Sequence, residues 1–339
     1  MTGDIREKLL ASDAALSLEM ETKVARAFRL AGWDTNQGVY YSDPISNKMR
    51  EIDIYAHKTI GVTEGLGSPY VNFDFFCECK SLKQQHLLFI PDAADPYVRV
   101  IDNDWIGLGD HMTTIVAKLM SSLHLNDAAT ATKLMDYLEK RSYPSPGDRS
   151  LNYQINVAPP KVDIFAHAFR ETDSAKTREE DTSVIWRSML TLSSALSQRK
   201  KRDAENSLNW VFGPYEDLHM ERSAGDIAYF IDLELLRTRC YHLVIFVKSN
   251  LWSLVNRKLK KIFAARLYIS NIDSSTFCID IVHEDYAEKY IAQSTKNLNQ
   301  TIPKSLARID KYLKKIRWAP RSDAKTLYEI LKKSSVIEK

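Results

Sequence analysis

The sequence predicts an α/β protein in which a central mixed β-sheet is flanked by helices, interrupted by a large insertion and followed by a helical C-terminal region. Three observations carry that expectation. Residues 17–32, SLEMETKVARAFRLAG, repeat apolar side chains at steps of three and four, which is one face of a helix. Three strand-like segments follow within the next sixty residues or so. Further on, CYHLVIFV (240–247) is a near-continuous apolar run bounded by basic residues, as expected of a strand covered on both faces.

In chain order, the first helix places Leu18, Glu21, Val24, Ala25, Phe28 and Ala31 on one stripe, and Gly32 stops it. VYYSD (39–43) reads as a short strand. REIDIYAH (50–57) reads as a second, with Ile52 and Ile54 on one face and Asp53 and Tyr55 on the other. After the Gly-rich connection 61–69, VNFDFFCECKSL (71–82) forms the third strand, and HLLFIPD is a further short strand ended by Pro91. From 92 to 181 the pattern is irregular. Residues 109–122 and 128–140 look helical, SYPSPGDRS (142–150) is a loop, and INVAPPKVDIFAHAF suggests two strands broken by Pro159 and Pro160. Residues 182–206 form a long helix with Val184, Met189, Leu192 and Leu196 on one flank and a basic end. The strand 240–247, ARLYIS, and TFCIDIVHEDYAEKYI, a strand running into a helix, follow. The expected division is 1–91 for the first part of the core, 92–181 for the insertion, 182–300 for the remainder and 301–339 for a basic helical tail.

Composition narrows the class. With 44% hydrophobic and 27% charged residues in 339, the chain has the makeup of a folded globular protein. The longest apolar run, 243–247, is far short of the roughly 20 residues that cross a bilayer. MTGDIREKLL carries charges where a secretory signal would be apolar, so the expected location is cytoplasmic, with no membrane partner. Four cysteines do not make a disulfide framework. The eight histidines show no zinc-hydrolase spacing, and no nucleophile elbow, P-loop or dinucleotide fingerprint occurs. Basic clusters at 198–202, 257–261 and 311–317 are individually ordinary solvated helix faces, but together they fit a polyanion.

The chemistry concentrates at the end of the third strand. Cys77 and Cys79 share one face while Glu78 and Lys80 share the other, and Asp53 stands outward on the preceding strand. Two carboxylates suit Mg²⁺, which keeps several waters for itself and for phosphate oxygens. Lys80, flanked by acids, should stay protonated and could orient the attacking water or stabilise developing charge. An acid, any residue and lysine also occur at Glu21-Thr22-Lys23 and Asp323-Ala324-Lys325; only Glu78-Cys79-Lys80 ends an apolar strand beside an exposed aspartate. A salt-bridged hairpin would carry the same charges.

These residues resemble the PD-(D/E)XK, or restriction-endonuclease-like, nuclease superfamily, which includes Mrr-type restriction enzymes and Holliday-junction resolvases. Glu21 followed by Val24, Phe28 and Gly32 is similar to the first helix of those proteins, REID to their aspartate strand, and FFCECK to the strand bearing their acid-x-lysine signature. The resemblance covers roughly residues 15–90, about a quarter of the chain. It implies a restriction-endonuclease-like core in which Asp53, Glu78 and the Cys79 carbonyl hold Mg²⁺, with Mn²⁺ able to substitute. Lys80 is then the catalytic lysine and Glu21 an accessory carboxylate near the metal. It implies a metal-dependent endonuclease acting on DNA in restriction, phage defence or repair, and it permits a homodimer and an activating partner or ligand. The helix expected after the lysine strand is either 182–206 or one near 110–140, the former preferred because CYHLVIFV follows it. Lys83, Gln198, Arg199, Lys200, Lys201 and Arg202 are then candidates for DNA contact. The competing expectation is a catalytically silent nuclease-fold module that binds nucleic acid or assembles with a partner.

Overall fold

The computed structural model describes residues 2–10, 12–43, 46–61, 70–92, 128–129, 131–133, 136, 160–173, 176–177, 183–212, 238–270 and 276–318. The helices are α1 (Thr2–Leu10), α2 (Asp13–Leu30), α3 (Val184–Phe212) and α4 (Ala287–Trp318). The strands are β1 (Asp34–Ser42), β2 (Met49–Gly61), β3 (Tyr70–Asp92), β4 (Ile164–Asp173), β5 (Lys176–Thr177), β6 (Thr238–Val255), β7 (Lys258–Ile262), β8 (Ala264–Ser270) and β9 (Thr276–His283). All nine belong to one mixed sheet.

Local chemistry sets the ends of α2. Ser12 accepts the Ala15 N–H at 3.2 Å as N-cap, and Asp13 sits in the positive first turn. At the other end Gly32 takes φ +78°, its N–H reaching the Arg29 carbonyl and the Trp33 N–H the Phe28 carbonyl. This is a Schellman closure, which satisfies the last carbonyls and returns Trp33 to the core. There Phe28, Trp33 and Phe75 meet edge-on or tilted with centroids 5.0–5.7 Å apart. Leu18, expected on the buried stripe, is exposed; Met20 is buried in its place.

Helices cover both faces of the sheet. On one face α2 and α4 bury Val24, Phe28, Tyr290, Leu298 and Ile302 against Phe73, Phe75, Val244 and Phe246. On the other, α3 buries Ile185, Met189, Leu192 and Leu196 against Phe76, Leu243, Ile245 and Val247. Strand β6 therefore sends alternate residues into two cores, which is why its sequence is apolar without alternation. Among the described residues, α3, which begins at Val184, lies between β3 and its parallel neighbour β6 in the chain. Of the helices expected near 109–122 and 128–140, the first lies outside the described residues and a few helical positions represent the second.

Strand β3 is 23 residues long and absorbs the segment HLLFIPD, with a register shift at Ile90/Pro91 instead of a stop at Pro91. It changes neighbours along its length. Residues 70–77 pair antiparallel with β2, residues 85–92 with β4, and the opposite edge runs parallel to β6. Pairings of β4 with β8, β8 with β9 and β9 with β6 then close a ring of five strands. Strand β4, from the span expected as an insertion, is thus a member of the same sheet. The run 257–261, read as a helix face, is instead edge strand β7.

Behind the sheet, Arg266 is 1% exposed and grips Asp280 through two bonds of 2.7 Å, while Tyr290 and His242 reach the same carboxylate. Burial alone would raise the Asp280 carboxyl, but Arg266 and His242 outweigh it and hold it well below the usual range.

Candidate active site

The site lies where β3 is between neighbours. The β2 ladder ends at Ile54 opposite Cys77, and β4 begins opposite Gln85, so among the described residues 78–84 have no strand on that edge. Beside the gap, β1 bends with Gly38 at φ +62°, between the pairs Gln37–Ile54 and Val39–Ile52. A Cβ at Gly38 would come within 2.9 Å of the Glu51 carboxylate. Ile52 and Ile54, expected on one face, enter different cores as β2 leaves β3.

Side chains satisfy the backbone of the unpaired stretch. Asp53 Oδ2 accepts the Cys79 N–H at 2.7 Å, Ser17 Oγ accepts the Ser81 N–H at 3.0 Å, and Ser81 Oγ donates to Asp13. Both serine contacts come from the first turns of α2. Because the N–H and C=O of one strand residue leave on the same side, the Cys79 carbonyl also points toward the Asp53 side. The sulfur atoms of Cys77 and Cys79 turn the other way into the core, where burial pushes both thiols up.

Lys80 bridges the two acids, its ammonium 2.8 Å from Asp53 Oδ2 and 2.7 Å from Glu78 Oε2. Burial opposes its charge, but Glu78 and Asp53 outweigh that and hold it protonated above its ordinary range. Glu78 is 4% exposed, and its Oε1 is buried without a hydrogen-bond partner. Burial first, then the charge of Asp53, raises Glu78 to about 7, with Lys80 offsetting only part. Glu21 enters the same field from α2. Burial and Asp53 raise it to about 7 as well, and exposed Glu51 adds to the effect. The structure thus brings together Asp53, Glu78, Cys79, Lys80 and Glu21.

Which atoms could hold a cation follows from these contacts. Among the described residues no three His, Cys, Asp or Glu side chains gather as a ready metal cluster. The available set is Asp53, the orphaned Glu78 Oε1 and the Cys79 carbonyl, with Lys80 between the carboxylates. All the candidate ligand atoms are hard oxygens, and a set of two carboxylates and a carbonyl fits an ion that retains several waters.

The expected DNA contacts divide. Only the backbone of Lys83 is described, within β3. Gln198 and Lys200 are half-buried, Lys201 and Arg202 exposed. Arg199 turns inward: its Nε meets Asp203 at 2.9 Å, Nη2 lies 3.5 Å from Asp74, and the guanidinium stacks over Tyr55. Asp74, 1% exposed, also takes the Tyr55 hydroxyl and His57 Nδ1. Tyr241 donates to Asp203 from β6. This network sits on the face of Glu78, about 13 Å along β3, and sequence reasoning did not find it. Its one local signal is Asp74, an acid inside the apolar run VNFDFF.

No helix among the described residues is long and apolar enough to cross a membrane. Compared with protein-family models, with curated proteins and with solved structures, the chain matches none.

Proposed function

We propose that the chain is a Mg²⁺-dependent nuclease with a restriction-endonuclease-like core, hydrolysing phosphodiester bonds of DNA. The observation that carries this reading is the double contact on Asp53 Oδ2, from the Cys79 N–H and the Lys80 ammonium, beside a buried Glu78 oxygen with no hydrogen-bond partner. A stretch of sheet edge that no strand pairs among the described residues, beside two acids, the Cys79 carbonyl and a lysine, is suited to an anionic backbone that must meet positive charge. The order of α2, three antiparallel strands, α3 and a parallel strand supports the same reading.

Asp53, Glu78 Oε1 and the Cys79 carbonyl would hold the ion, which when bound neutralises phosphate charge and acidifies a water. Lys80, kept as ammonium, orients the nucleophile and offsets charge growing on the phosphate. Glu21, whose charge is felt at the same site, would act as an accessory carboxylate that tunes it.

Cleavage of supercoiled plasmid and a labelled duplex in Mg²⁺, Mn²⁺ and EDTA, beside Lys80→Ala, tests it. Metal-dependent cutting lost in the variant is the expected result. One observation favours a second reading: Lys80 already pairs with both acids as an ion-bridged trio, which a silent nucleic-acid-binding or assembly module would need only for its fold. Equal inertness of both proteins in every metal would move that reading ahead.

A further inference from the structure

We infer that the β6–β7 hairpin is an arm that grips the backbone of a duplex nucleic acid on one side of the site. Its choice of polyanion rests on the nuclease reading.

Several observations converge on the hairpin. Asn256 and Arg257 form a two-residue loop with φ +48° and +63°, so the ribbon turns tightly and keeps its strands together. The parallel pairing of β3 with β6 ends at Phe89 and Ser253, so residues 254–259 project beyond it as a two-stranded ribbon. Strand β7 is the last in the sheet, and Lys258, Leu259, Lys260 and Lys261 are all exposed, as is Arg257. Among the described residues none of these four cations has an acidic partner within ion-pair distance. From residue 235 to residue 272 the sequence contains no Asp or Glu at all.

Edge strands often carry lysine to block pairing with another sheet. One or two would suffice for that purpose. Here cations stand on both faces, Lys258 and Lys260 on one and Lys261 on the other, and the cross-strand pair Leu254–Leu259 is exposed between them. A ribbon of this kind has the width that a major groove admits, with the lysines against phosphates and the Asn256–Arg257 turn and the Leu254–Leu259 pair toward the bases.

The register places the arm relative to the chemistry. Lys80 lies beside Val247, and the loop begins nine residues further along β6. A straight strand would carry it about 30 Å, close to one turn of duplex. The arm would therefore touch backbone roughly ten base pairs from the scissile phosphate.

The test is binding of a labelled 30-mer duplex by the full chain in EDTA, across a salt series, with and without Lys258→Gln/Lys260→Gln/Lys261→Gln. Binding about tenfold weaker, with the log–log salt slope smaller by about 2 to 3 and unfolding temperature unchanged, is expected. Should the triple variant lose its fold, Lys258→Gln and Lys260→Gln singly must each lower the slope by about 1. Unchanged affinity with new self-association would reduce the lysines to edge protection and overturn the proposal. So would a wild-type protein that ignores the duplex but binds anionic vesicles through the same lysines. Since EDTA removes catalysis, hairpin-dependent binding by a protein that never cleaves would sink the nuclease reading and leave the arm standing.

Discussion

Asp53 reaches across the gap left by its own strand and accepts the Cys79 backbone N–H at 2.7 Å. One carboxylate thereby closes the sheet edge and faces the Lys80 ammonium. Its two duties separate by substitution. Asp53→Asn keeps an acceptor for the amide and gives up the Lys80 ion pair, so the urea midpoint should move less than in Asp53→Ala, while the proposed cleavage falls about 100-fold or more. Asp53→Ala should lose cleavage and also about 1–3 kcal/mol of stability, because the amide is left unsatisfied. An Asn variant that cuts at the wild-type rate would exclude Asp53 from the chemistry.

Stability should fall as pH rises through the slightly acidic range. Glu78 and Glu21 ionise near about 7 in the folded chain against 4.5 ordinarily. Between those values the folded chain holds protons that the unfolded chain has released, so each pH step upward favours unfolding. Glu78→Gln should remove on the order of 2 kcal/mol of this dependence, read from urea unfolding at pH 5 and pH 8. A variant whose pH slope equals that of the wild type would refute the assignment.

The Arg266–Asp280 pair should be far less forgiving. Arg266→Ala takes the guanidinium from a buried carboxylate, leaving it only Tyr290 and His242, and is expected to cost about 3–5 kcal/mol, seen as a large drop in unfolding temperature. The Asp280 carboxyl is held low, so the pair's contribution is complete above its ordinary 3.8 and disappears only as pH falls below it. Acid titration of the wild type followed by near-UV circular dichroism checks the sign.

Arg257 occupies a left-handed conformation that suits glycine, φ +63°. Arg257→Gly should therefore stabilise the hairpin by about 1 kcal/mol. Thermal unfolding measures it, and a lower unfolding temperature would mean that the arginine side chain holds the loop.

Much of the core was legible because its signals are local. Gly32 after an apolar stripe foretold the end of α2, and CYHLVIFV foretold a strand buried on both sides. Leu18 misled because the first turns of α2 run along the β3 edge that no strand pairs among the described residues, where Ser17 and Asp13 make polar contacts with Ser81. Strand β7 was hidden because RKLKK has little strand propensity; a tight turn and the apolar strand before it impose the pairing. Within the site, the spacing of Asp53, Glu78 and Lys80 was visible as strand alternation. The union of Asp74 with Arg199 joins positions 125 residues apart through tertiary packing; the acid within VNFDFF marks one end, and nothing local points to its partner.

The side-chain closure of the sheet edge gives the site its own pair of reporters. The Cys79 and Ser81 amides depend on Asp53 and Ser17, whereas their neighbours up the strand depend on another backbone. Any event that draws the Asp53 carboxylate away should shift the Cys79 amide resonance and quicken its hydrogen exchange. Ser81, tied to α2, should respond only if the helix itself moves. Occupancy and helix displacement would then be read separately, from two signals two residues apart.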